Sequence, residues 1–156
     1  MYRLATMASL LSREDVIVIS SVSALYGLGT KEMFGQNRLY MLIGQDYTIE
    51  DLKAQLIHMQ YKPATGALDT GMFDQKGEMI DIHASTEKVI YRLIFNDKTL
   101  EMIQVKDALT YKLLDSLKSI TIWPATQYLQ DMKQLEVILP QITAELKERV
   151  SYLTKK

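Results

Sequence analysis

Asp81 and His83 stand two residues apart in Met79-Ile80-Asp81-Ile82-His83, a segment that reads as a strand. A two-residue spacing places a carboxylate and an imidazole on one face, where they could share a metal ion or pass a proton. Glu78 falls on the opposite face, and His58, the other histidine, belongs to a helical pattern. With no third ligand at local spacing, a half-exposed strand pair is the plainer reading, and neither a metal site nor a catalytic residue is assigned. Ser20, Ser21 and Ser23 would serve as nucleophiles only beside a positioned base, and none is near in sequence. Gly29-Thr30-Lys31 lacks the upstream glycine spacing and the Lys-[Ser/Thr] order of a phosphate-binding loop. Gly27 and Gly29 follow an apolar run, but Met33 stands where a dinucleotide fingerprint needs its third glycine. No cofactor is expected.

The aromatic and sulfur side chains are equally plain. Nine tyrosines are scattered rather than interleaved with arginines, which argues against a stacking platform for single strands, and Trp123 before Pro124 reads as packing. The nine methionines fall mostly at expected core positions. Eighteen Lys+Arg against nineteen Asp+Glu leave a formal charge of −1, without the basic excess of an autonomous duplex-DNA binder. Zero cysteines exclude disulfides, thiolate nucleophiles and Cys-held metals. No apolar stretch approaches the roughly 18 residues of a membrane helix, and Arg3, Arg13, Glu14 and Asp15 interrupt any signal-peptide core. A soluble, cytoplasmic protein is expected, without membrane contact.

The elements that must position these residues follow from periodicity. At 156 residues and 47% hydrophobic content the chain is long enough for one compact unit. Leu4, Met7, Ala8 and Leu11 predict an amphipathic helix, and Val16-Ile17-Val18-Ile19 predicts a strand buried on both faces. Arg38 to Ile43 reads as a strand. Ile49 to Gln60 reads as a helix, with Thr48 as N-cap, Asp51 in its first turn and Leu52, Leu56 and Met59 on its buried stripe. Beyond the break at Pro63 and Gly66, strands are expected at Met72-Phe73, Met79 to His83, Val89 to Phe95 and Thr99 to Val105, as an antiparallel meander. Ser119 to Trp123 reads as a last strand. Leu135, Leu139, Ile142, Leu146, Val150 and Leu153 then form a helical stripe, which Pro140 is expected to kink or break. The pattern is that of α/β scaffold elements (residues 1–37 and 119–156) with an inserted antiparallel α+β module (residues 38–118).

From Arg3 to Gly29 the sequence RLATMASLLSREDVIVISSVSALYGLG resembles the UvrB family, the helicase-like component of the bacterial excinuclease ABC. The resemblance continues through Leu56 to Tyr61 (LIHMQY), Gly71-Met72-Phe73, Gly77 to Ile82, Asp107 to Thr110 and Thr121 to Thr126, covering nearly the whole chain. The transcription-repair coupling factor has a similar insert, but SVSALYGLG favours UvrB. The resemblance implies a helix and strand of an ATPase core, the inserted UvrA-interaction domain, and a returning strand and helix. The family's phosphate-binding loop, DNA-clamping hairpin and second helicase domain would lie outside residues 1–156, so ATP hydrolysis and strand separation are not carried over, and DNA would be met only indirectly.

The resemblance also implies a partner-binding site for UvrA or a UvrA-like protein. In the family, arginines around the central hairpin are thought to pair with acidic groups of UvrA. The positions taken to match them hold Pro63, Thr70, Asp74 and Lys76, with Tyr91 and Leu93 replacing an Arg and a Glu. Only Lys76 keeps its charge, without arginine's bidentate fork. From Asp69 to Glu78, three carboxylates (Asp69, Asp74, Glu78) face one cation. On this reading Thr70→Arg, Asp74→Arg and Lys76→Arg would together restore UvrA binding, Asp74→Arg contributing most. The alternative is a diverged paralogue that binds a different protein through its acidic hairpin face.

Overall fold

A computed structural model describes residues 2–25, 31–126 and 132–154. Along the chain run α1 (Tyr2–Ser12), a 3-10 turn (Val22–Leu25), α2 (Lys31–Gln36), β1 (Leu39–Leu42), α3 (Ile49–His58) and β2 (Lys62–Pro63). They are followed by β3 (Met72–Lys76), β4 (Met79–His83), β5 (Val89–Asn96), β6 (Thr99–Asp107), β7 (Leu113–Leu117), β8 (Ser119–Ile122) and α4 (Met132–Thr154). Six strands form one sheet in the order β2-β3-β4-β5-β6-β7, antiparallel throughout except that β2 runs parallel to β3. β1 and β8 form a separate antiparallel pair, Leu39 opposite Ile122 and Leu42 opposite Ser119, which brings the chain's entry into the large sheet beside its exit. The architecture is mixed α/β with an antiparallel α+β module.

The helical period of α3 explains the core. Leu52 and Leu56 on the helix and Met59 just beyond it are buried against Phe73, Ile80, Ile82, Leu93 and Ile103 from one face of the large sheet, and against Met41, Ile120 and Ile122 from the small one. Thr48 holds the N-cap position but its side chain makes no capping bond; Glu50 and Asp51 supply first-turn acids that complement the helix dipole. Buried hydrogen bonds fasten the exit segment: the Tyr61 hydroxyl donates to the Trp123 carbonyl and the Ser85 hydroxyl to the Pro124 carbonyl, each at 2.9 Å. Trp123 then stacks on Phe34, ring centroids 5.5 Å apart and 5° from coplanar. Ala8, Leu4, Met7 and Leu11 complete this second cluster, so α1 buries the stripe read from its sequence.

Two expectations need correction, and two strands were not anticipated. Val16-Ile17-Val18-Ile19 is not a buried strand: Ile17 is 91% and Ile19 97% exposed, and among the described residues no strand lies alongside to take its backbone bonds. α4 continues through Pro140 as one helix, so no break occurs there, and Leu139, Ile142, Leu146, Val150 and Leu153 are all exposed. β2 and β7 escaped the reading because a two-residue parallel strand and the half-polar LLDSL carry no clean alternation. Of the methionines, Met41 and Met59 are core, whereas Met102 is exposed.

This packing sets two expected outcomes. Leu56→Ala, at the centre of the core, should destabilise the chain by about 2–5 kcal/mol in denaturant melts, and a loss below about 1 kcal/mol would contradict the packing described. Burial pushes the Tyr61 phenol above its ordinary value of 10.0. Burial also raises the Tyr91 phenol, reinforced by Glu87, whose carboxylate accepts its hydrogen bond at 2.9 Å. The folded state thus holds these protons while the unfolded chain releases them, so stability is full below pH of about 10 and falls as pH rises above it. Ultraviolet titration should show both phenols ionising only with unfolding; early ionisation of all nine tyrosines would contradict this.

Candidate partner-binding site

Because α3 covers one face of the large sheet, the strand alternation leaves every second side chain on the other face. Register across the sheet groups these side chains into rows. One row runs Asp74, Asp81, Arg92, Gln104, Ser116; the next runs Met79, Ile94, Met102, with Lys76 opposite Met79. A two-residue turn, Gly77-Glu78, joins β3 to β4, with Gly77 at φ +60°. Glycine meets that left-handed conformation without the Cβ penalty.

The charges beside this hairpin are arranged in pairs. Arg92 Nε and Nη2 donate to the two carboxylate oxygens of Asp81, both at 2.7 Å, a bidentate cross-strand pair with side chains only 25% and 8% exposed. Asp81 holds the Arg92 guanidinium above its ordinary value. Asp74, directly opposite Asp81, is bridged at 2.9 Å by the exposed Lys76 ammonium, which Asp74 likewise raises. Like charges opposite one another repel, so the two carboxylates require these two flanking cations.

The residues read from sequence therefore separate. Asp74 and Lys76 lie together on the open face, while Thr70 is exposed in the preceding loop, its hydroxyl 3.4 Å from His83 Nε2. Pro63 is exposed on edge strand β2, in register with the core residue Phe73. Tyr91 and Leu93 are 8% and 0% exposed, on the face that packs against α3, because β5 alternates; on its opposite face stand Arg92 and Ile94, both half-buried, and Ile90, which is fully buried. The positions on β5 that share a face with Asp74 and Lys76 are thus Arg92 and Ile94. Their signal was present in VIYRLIFN, where Arg92 is the one charged residue among apolar neighbours.

Asp81 and His83 are not brought together for metal chemistry. Both oxygens of Asp81 are engaged by Arg92, and His83 Nδ1 donates to the Leu68 carbonyl at 3.0 Å. His58 lies in a recess of about 390 Å³ lined with Asn37, Arg38 and Tyr40, its Nε2 3.1 Å from Asn37 Oδ1. Among the described residues no three His, Asp or Glu side chains converge on a metal-sized site. Ser21 and Ser23 hydrogen-bond each other at 2.7 Å. The stretch Gly27 to Thr30 lies outside the described residues.

The fold defines an antiparallel α+β module whose large sheet packs α3 on one face. The chain belongs to the UvrB interaction domain family, which residues 39–128 match. Over 154 residues it is 38% identical to the UvrABC system protein B of Francisella tularensis subsp. tularensis and 36% identical to those of Mycoplasma pneumoniae and Onion yellows phytoplasma. Each alignment takes in 98% of this chain and 23% of the relative, so the chain spans about a quarter of the length of these proteins.

The Asp81–Arg92 pair sets a thermodynamic expectation. Arg92→Ala strands a nearly buried carboxylate and should cost about 1–3 kcal/mol, whereas Asp81→Ala/Arg92→Ala removes both charges and should cost less than the sum of the single changes. Denaturant melts of the four proteins in the cycle measure this coupling; strict additivity would show that the pair contributes nothing.

Proposed function

We propose that this chain is a non-catalytic interaction module of bacterial nucleotide excision repair, docking on UvrA through the open face of its large sheet. The observation that carries the reading is the match of residues 39–128 to the UvrB interaction domain, a segment that contains the whole of that sheet. Asp74, Lys76, Arg92 and Ile94 contribute to the docking face, and Thr70 stands at its rim. Tyr91 and Leu93 support it from the core side. Residues 1–37 and 119–156 act as flanking helicase-core-like elements around the inserted module. DNA is reached only through the partner, in keeping with a formal charge of −1.

A second reading, in which a diverged paralogue has exchanged UvrA for another protein, is favoured by one observation. Lys76 and Arg92, the two cations beside the hairpin on this face, are both engaged by carboxylates of the same chain.

Sedimentation velocity of the 156-residue chain with UvrA from the same organism tests the first reading. A complex at micromolar concentration is expected. Free sedimentation of both proteins at such concentrations would reject UvrA as the partner and leave the paralogue.

A further inference from the structure

Away from the Gly77-Glu78 turn, the open face ends at the edge strand β7 and the turn that joins it to β6. One row beyond Gln104 and Ser116, Leu113 stands opposite Lys106, while Asp115 is opposite Val105, so Leu114 is the extra residue of a bulge. Bulges re-aim the side chains of their strand, and here Leu113 and Leu114 are 56% and 59% exposed. The turn adds Leu109, 90% exposed, and Tyr111, 48% exposed. Four large apolar side chains standing in water between positions 109 and 114 mark a contact surface rather than a scatter of single residues. The turn is also well fixed. Asp107 Oδ1 accepts from the Leu109 N–H at 3.1 Å, the Thr110 N–H at 2.7 Å and the Thr110 hydroxyl at 2.8 Å. Tyr111 is held at φ +58°, a left-handed conformation that is costly for a residue with a Cβ. These side chains are ordered before a partner arrives, which lowers the entropy lost on contact.

The charges around this turn differ from those at the hairpin. Among the described residues no carboxylate pairs with Lys88, Lys106 or Lys112. The neighbouring carboxylates each accept a hydrogen bond within the chain: Glu87 from the Tyr91 hydroxyl, Asp107 from its own turn and Asp115 from the Ser116 N–H. Free cations beside exposed apolar side chains complement a partner that offers carboxylates around an apolar residue. The bulge, and the Asp115 carboxylate on the Ser116 N–H, blunt the β7 edge against an added strand, so side chains rather than backbone carry the contact. We infer that the docking face extends to the β6–β7 turn, where Leu109, Leu113 and Leu114 receive an apolar side chain of UvrA and Lys106 and Lys112 meet its flanking carboxylates. This rests on the reading that the open face docks UvrA, and it names the chemistry UvrA brings to that edge.

Calorimetric titration of UvrA from the same organism into the parent chain, Leu109→Asp, Lys106→Glu/Lys112→Glu and Lys98→Glu tests this, with circular dichroism melts to confirm folding. Lys98, in the β5–β6 turn at the other end of the sheet, controls for a change of net charge. Leu109→Asp and Lys106→Glu/Lys112→Glu should each weaken binding about tenfold or more, and Lys98→Glu less than about twofold. Parent affinity should fall severalfold between about 0.1 M and about 0.5 M salt, as contacts between lysines and carboxylates are screened. Leu109 is almost fully exposed, so Leu109→Asp keeps the test valid if the double variant folds poorly. Parent-like binding by folded Leu109→Asp, or an equal loss in Lys98→Glu, would overturn the inference while leaving UvrA as the partner. No binding by the folded parent at either salt would overturn the UvrA reading itself.

Discussion

The packing of Leu52, Leu56 and Met59 against Ile80, Leu93 and Ile103 fixes which way every strand of the large sheet faces. Side chains alternate with a period of two, so once one residue of β5 is committed to the core, its neighbours are committed to the other side. A shift of a single residue would bury Arg92 and expose Leu93. The open face is thus a consequence of the covered one: its charges, its apolar strip and its accessibility are set by a helix that packs on the opposite side. Asp81 and Arg92 lock this register a second time, because their bidentate geometry exists only while β4 and β5 hold their present alignment. Whatever its net stabilisation, a nearly buried pair of this kind disfavours the slipped sheet, which would leave both charges without partners.

The same alternation shows how much was legible in advance. The amphipathic period of α3 and α1, and the strands β3 to β6, were readable because each carries one covered face and hence one clear rhythm. Val16 to Ile19 has the strongest β composition in the chain and yet pairs with nothing among the described residues, since composition expresses suitability for a sheet and a sheet requires a neighbour. Pro140 did not break α4, and the apolar stripe of that helix remains uncovered. Of the residues read by resemblance, Asp74 and Lys76 share the face opposite α3 with Arg92. Reading residues by resemblance ignored the parity that places Tyr91 and Leu93 against α3.

Function depends on what the open face lacks as well as on what it holds. Both cations beside the hairpin are answered by carboxylates from the same chain. Membership of the UvrB interaction domain family is the ground on which the proposed partner rests.

Methyl-labelled methionine spectra of the chain, recorded as UvrA from the same organism is added, test the central claim most directly. Met79 and Met102 report on the open face, whereas Met41 and Met59 report on the core and Met7 on the cluster around Phe34 and Trp123. The account predicts selective shifts or broadening at Met79 and Met102, with the other three unmoved. Perturbation centred on Met7, with Met79 and Met102 unchanged at saturation, would contradict it and move the docking surface to the α1 side of the molecule.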